Sequence, residues 1–138
     1  MTFDFTAVNW VAVIVAAIAG VVVGFVWYLP QVFGRRWAAA IGRDLPAPGD
    51  VSPMLYLAGI IQALVVAYVL TLFIGALGGA SLVDGLVVGF LAWLGFVAAG
   101  YLNTVLYEGR SLEYWTISTG YALVSLLVMG AIIGYLGA

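Results

Sequence analysis

Neither cysteine nor histidine occurs in these 138 residues. Their absence excludes disulfides, thiolate nucleophiles, imidazole bases and the usual zinc and haem ligands together. Charge is nearly as scarce. Only 7% of the chain is Asp, Glu, Lys or Arg, against about 25% in soluble domains. A soluble fold would lack the polar surface to cover a composition that is 66% hydrophobic. Four basic residues against six acidic ones leave a net charge of -2, which supplies no basic field for nucleic acid. No nucleic-acid partner, metal or cofactor is therefore expected.

The apolar residues are present as long runs. A first one extends from about Ala7 to Leu29. Ala17-Ile18-Ala19 imitates a signal-peptidase site, but no basic residue precedes it and hydrophobicity continues for another turn and more, so a retained spanning helix is expected. Pro30 removes a backbone donor and ends or kinks that helix. In the segment from Gln31 to Gly42, Phe33, Trp37 and Ile41 recur at i, i+4 and i+8 while Arg35 and Arg36 point elsewhere, as in a short helix lying among headgroups. After the Pro- and Gly-rich loop Asp44 to Asp50, Ser52 and Pro53 supply an N-cap and a first-turn proline for a second span to about Ala76. Leu77-Gly78-Gly79-Ala80 is a tight turn. Ser81 and Asp84 make a capping box opening a third span over 82–106, and the polar connection Tyr107-Glu108-Gly109-Arg110-Ser111 leads to a fourth over 112–136. The expected fold is one all-α membrane domain over 1–138, a bundle of four transmembrane helices with a short interfacial helix at about 31–42.

Arg35, Arg36, Arg43 and Arg110 all fall in the two connections that share one side of the membrane. Because cytoplasmic loops are enriched in Lys and Arg, loops 30–52 and 107–111 are expected inside and both termini outside. Trp27, Tyr28, Trp37, Tyr56, Tyr101, Tyr107, Tyr114 and Trp115 gather at the inner interface, with Trp10, Phe73 and Tyr135 at the outer one. Gly20-Val21-Val22-Val23-Gly24-Phe25-Val26 is echoed by Gly85-Leu86-Val87-Val88-Gly89-Phe90-Leu91. Either a duplicated helical hairpin or chance in a Val- and Gly-rich chain accounts for the echo.

Small residues lie four apart at Gly20/Gly24, Gly75/Gly79, Gly85/Gly89 and Gly130/Gly134, and Gly85, Gly89, Ala92, Gly95 and Ala99 extend one pair into a stripe. Such spacing lets helix backbones approach closely, within the bundle or between subunits of a homo-oligomer. No charged residue sits at mid-helix, which argues against an ion-pair relay. Neutral polar groups cluster instead in the inner half. Ser118, Tyr121 and Ser125 share a face at i, i+3 and i+7. Two readings stay open: hydrogen bonding within and between helices, or a pocket lined by Tyr28, Gln62, Asn103, Ser118 and Tyr121 and ringed by Glu108, Arg110 and Glu113. Glu108 and Glu113 form a conceivable acid and base, but no nucleophile or oxyanion motif accompanies them. Glu113 suits a helix N-terminus, and Glu108 an ion pair with Arg110 or a loop arginine.

Asn9-Trp10, Gly24 to Pro30 running on to Phe33-Gly34 and Trp37, Asn103 through Tyr107 to Arg110, and Ile117 to Tyr121 together resemble the bacterial domain-of-unknown-function family numbered 1761. The resemblance covers nearly the whole chain. It implies a small four-helix protein of the bacterial inner membrane, of no established activity, with motif positions at Trp27, Tyr28, Pro30, Gly34, Glu108, Gly109, Arg110, Gly120 and Tyr121. The leading expectation is a non-enzymatic, oligomeric membrane protein that binds or passes a small molecule or lipid through a site open to the cytoplasmic side. An accessory or scaffold subunit without a ligand is the alternative, and a lipid-modifying enzyme using Glu108 or Glu113 the third.

Overall fold

A computed structural model describes residues 2–138, with the side chain of Pro48 excepted. Its regular elements are helical, and four of them are long and apolar enough to cross a membrane. Helix α1 spans Trp10–Trp27, α2 spans Arg35–Ala40, α3 spans Pro53–Ala76, α4 spans Leu82–Leu106 and α5 spans Leu112–Leu136.

Local sequence explains the helix starts. Asn9 caps α1 by accepting from the Ala12 N–H at 3.3 Å, so the helix begins three residues after the expected Ala7. Ser52 caps α3 through the Met54 N–H, with Pro53 in the first turn. A variant of the capping box forms at α4: the Asp84 N–H donates to Ser81 Oγ at 3.1 Å, and Asp84 Oδ2 accepts from the N–H of Ala80, the residue before the cap, at 2.9 Å. Ser111, read in the sequence only as part of a polar connection, caps α5 through the Tyr114 N–H. Each such cap satisfies a donor that the helix leaves unpaired.

Pro30 opens a wide π turn over Pro30–Gly34 that runs straight into α2. The interfacial element is thus a π turn plus a short α-helix that ends at Ala40, rather than one regular helix to 42. Gly34 is indispensable to it: a Cβ there would strike the Tyr28 carbonyl oxygen. A second π turn interrupts α4 at Trp93–Ala98. The extra residue shifts the register there, and within and just past the turn Ala98 is buried while Gly95 and Ala99 face outward. Of the small-residue stripe expected along the whole helix, Gly85 and Gly89 are buried on the packed face, Ala92 is half-buried, and Gly95 and Ala99 are exposed.

Helix α5 is the centre of the bundle, flanked by α4 and α1; α3 lies against α1 and meets α4 only lightly. The α4–α5 crossing is backbone on backbone. A Cβ on Gly85 would meet the Gly130 carbonyl, one on Gly130 the Gly85 carbonyl, one on Gly89 the Leu126 carbonyl at 2.5 Å, and one on Gly134 the Ser81 carbonyl. With no hydrophobic drive between helices in lipid, this close approach is what supplies the packing energy. Gly20 and Gly24 press on the opposite side of α5, against Met129 with Ser125 and against the Tyr121 ring. Gly75/Gly79 makes no helix crossing: Gly79 lies beyond the end of α3, in the turn where Gly78 adopts φ +73° and the Gly79 N–H returns to the Ile74 carbonyl at 2.8 Å. The two glycine echoes thus pack on one and the same helix, and α3 and α5, their partners in a duplicated hairpin, occupy unequal places.

The core fills the half of the bundle that carries the termini. Ala12, Val13, Ala16, Ala67, Ile74, Met129 and Ile133 are buried there. Asn9 ties the two chain ends together by donating its side-chain amide to the Leu136 and Gly137 carbonyls at 3.2 and 3.0 Å.

Candidate functional site

At the arginine-bearing end the bundle splays. Every residue of α3 from Pro53 to Gln62 is exposed, and the gap faces an α4 segment in which Tyr101 is 41% exposed. Behind it lies a cavity of about 460 Å³ reached by all four long helices. Along α5 it runs from Tyr114 to Met129, roughly 20 Å at 1.5 Å per residue.

Polarity changes along that length. The deep part is formed by Gly20, Val21, Ala63, Val66, Val97, Leu126 and Met129, with Ser125 as its one hydroxyl. The outer part carries Tyr28, Trp37, Gln62, Tyr101, Tyr114, Ser118 and Tyr121. None of the lining residues is charged. Tyr28 is the hinge of this rim, its ring meeting Trp37 edge-on and Tyr121 at a tilt, each with centroids 5.5 Å apart. Tyr101 and Tyr114 stack at 6.3 Å on the other side.

Of the residues singled out in the sequence, Tyr28, Gln62, Ser118 and Tyr121 meet at this cavity, as does Ser125. Asn103 does not: it sits on an exposed face of α4, two positions past Tyr101. Glu108, expected to pair with an arginine, is exposed and has no such partner among the described residues; an ion pair forms instead between Arg36 Nε and Glu113 Oε1 at 3.1 Å. Being half-exposed, that pair adds little stability, but it joins α2 to the first turn of α5. Arg110 reaches the rim indirectly, its guanidinium 5.6 Å over the Tyr114 ring. Glu108, Arg110 and Glu113 therefore lie outside the cavity lining, and Glu113 is held by Arg36 rather than set opposite Glu108 as an acid and base pair.

Tyr101 and Tyr114 are lining residues that the sequence suggested only as interface aromatics. Tyr114, Ser118, Tyr121 and Ser125 recur at i, i+4, i+7 and i+11, so extending the polar face of α5 by one turn would have found Tyr114. Tyr101 follows the π turn and has no periodic signal.

The remaining motif positions lie outside the cavity lining and fix the segments around it. Trp27 lies over Gly120, where a Cβ would come within 3.0 Å of its ring, and its indole donates to the Ile117 carbonyl at 2.9 Å. Trp115 and Trp93 do the same to the Ala98 and Thr119 carbonyls at 3.1 and 2.7 Å. Trp27 and Trp115, expected at the headgroup level, are thus half-buried cross-helix ties. Gly109 turns the chain at φ +72°, with the Arg110 N–H closing on the Thr104 carbonyl at 2.9 Å. Thr104, Thr116 and Thr119 return their hydroxyls to carbonyls of their own helices at 2.7 to 2.8 Å. Hydrogen bonding within the bundle and lining of a cavity thus divide the polar belt between them: threonines take the first role, tyrosines and serines of α5 the second.

The family described as protein of unknown function (DUF1761) matches residues 11–134. No curated protein matches the chain, and no solved structure does.

Proposed function

The chain belongs to the DUF1761 family, whose description carries no activity, and from the site itself we propose that this protein binds an uncharged amphiphile drawn from the membrane. The observation that carries this reading is the uncharged cavity between the four helices, apolar inward and ringed at its mouth by tyrosine hydroxyls, Gln62 and Ser118. Its volume falls in the range of small-molecule sites, about 300 to 1,000 Å³. An apolar tail would lie along Val66, Val97 and Met129, and a hydroxyl, carbonyl or ester head would hydrogen-bond at the rim. The lateral gap beside Gln62 and Gly59 is the route in. Met129, Ile133, Ile74 and Val13 are packed solid between the cavity and the terminal end, which favours binding over free passage.

On the same reading the protein resides in the bacterial inner membrane with its arginine-bearing end in the cytoplasm, since the four arginines all lie at that end. It associates with itself. Gly95 and Gly100, where an added Cβ would meet nothing, give the outer face of α4 a surface for close helix approach.

Native mass spectrometry of the full chain released from detergent tests the proposal. The expected result is a bound mass retained by the parent protein and lost in both Ser118→Leu and Gln62→Leu at unchanged thermal stability. A bare protein, or the same adduct in both variants, would overturn it. The same spectra report the number of subunits.

A further inference from the structure

Helix α2 has two working faces, and the second is not part of the cavity. Trp37 turns toward the aromatic rim, while Arg35 and Ala38 border a separate groove of about 480 Å³ completed by Arg43, Asp44, Leu45 and Pro46. The two share no lining residue.

The groove is built by a specific chain reversal. Gly42 adopts φ +70°, a conformation that side chains disfavour. Past it, the Arg43 N–H closes on the Ala38 carbonyl at 2.9 Å, ending α2 as a helix C-cap and folding the loop back beside the helix. Arg43 is thereby carried to the same groove as Arg35, eight positions earlier. Neither guanidinium is in an ion pair among the described residues, where Arg36 and Glu113 form the pair that is present. Asp44 is the acid on the rim, and two arginines against it leave the groove net positive. Its floor, Ala38, Leu45 and Pro46, is apolar. The element bridges the end of α1 and the start of α3, which places it at the level where the spans leave the hydrocarbon.

We infer that the Arg35–Arg43 groove binds the headgroup phosphate of an anionic glycerophospholipid. Arginine forks match phosphate oxygens bidentately and are more weakly hydrated than lysine ammonium groups. The apolar floor distinguishes a lipid from free phosphate, because it offers cover to the glycerol and upper acyl carbons that inorganic phosphate lacks.

The test uses the purified full chain, delipidated and titrated with phosphatidylglycerol or phosphatidylcholine of identical acyl chains, with retained lipid read by native mass spectrometry. The parent should retain phosphatidylglycerol preferentially. Arg35→Gln with Arg43→Gln should weaken that retention roughly twenty-fold, while Arg110→Gln, which removes one arginine elsewhere at the same end, should leave it unchanged. Asp44→Asn should strengthen it by about five-fold, a gain that needs only a folded groove and so stands apart from any damage in the double variant. Equal retention of the two lipids, equal weakening by Arg110→Gln, no gain from Asp44→Asn, or displacement by millimolar inorganic phosphate would each overturn the inference. Because the groove and the cavity share no residue, Ser118→Leu leaves this result untouched.

Discussion

The two ends of this bundle are made from the same kind of helix yet packed in opposite ways. At the terminal end, α3 is held by Ala67, Leu70 and Ile74, all buried against α1 and α5. At the arginine end the same helix, still unbroken, is exposed on every face. Apolar content does not separate the two halves of α3, since Leu and Ile occur in both. Geometry does: glycine contacts draw α1 and α4 onto α5, nothing equivalent draws in the first half of α3, and its departure opens the cavity. Tight packing stabilises one half, and its absence in the other leaves room for a ligand.

The largest effect that would break this contrast is at the α4–α5 crossing. Gly130→Leu, or Gly85→Leu, forces a side chain into a facing carbonyl and should cost about 3 kcal/mol or more, seen as loss of a monodisperse protein and a collapsed denaturation midpoint. Gly95→Leu, on the same helix as Gly85 but within the π turn, should leave the stability of the monomer fold within about 0.5 kcal/mol of the parent while weakening self-association. Similar costs at Gly85 and Gly95 would sink the rotated-face account of α4.

A second pair compares the halves directly. Gly24→Val meets the Tyr121 ring, 3.1 Å from an added Cβ, and should destabilise by about 1 to 3 kcal/mol. Gly59→Val meets nothing within 4 Å, so thermal stability should hold while the bound mass proposed for the cavity diminishes. Next in size, Trp27→Phe removes the indole bond to the Ile117 carbonyl and should cost about 1 kcal/mol. It should also loosen the rim, visible as faster proteolysis between α1 and α3.

The smallest effect is at the terminal end. The Thr6 N–H, then the Thr6 hydroxyl and the Ala7 N–H, hold the Asp4 carboxyl below its ordinary value of 3.8. A depressed carboxylate contributes order above the unfolded value and loses it as pH falls through the folded one. The Thr6 and Ala7 amide resonances should therefore titrate together, with a midpoint below 3.8. Asp4→Asn should abolish that titration without moving any resonance at the arginine end.

Much of the architecture was legible without coordinates because single-residue rules govern it. Ser52 with Pro53, and Ser81 with Asp84, announce helix starts, and span length follows from bilayer thickness. One polar edge of the cavity was legible too, in the spacing of Ser118, Tyr121 and Ser125. That Asn103 lies off the cavity and Tyr101 on it was not legible, for one reason. The π turn at Trp93–Ala98 shifts the register of α4, so a count at 3.6 residues per turn gives the wrong face for everything after it. Glu113 stands in the first turn of α5 as its position implies, but the ion pair expected at Glu108 forms at Glu113, because an ion pair's partner depends on which loop arginine comes near. That is decided by where α2 lies against α5.

By itself, then, the sequence determined a four-span membrane protein with its arginines at one end, since hydrophobic run length, capping residues and charge position act locally and need no partner. Only the tertiary structure decided which glycines meet, that α5 rather than α1 is central, and that α3 stands off to leave an uncharged cavity. Those are properties of helices relative to one another. In a bilayer, where lipid solvates every apolar face equally well, the relative placement rests on close backbone contact that no single helix encodes.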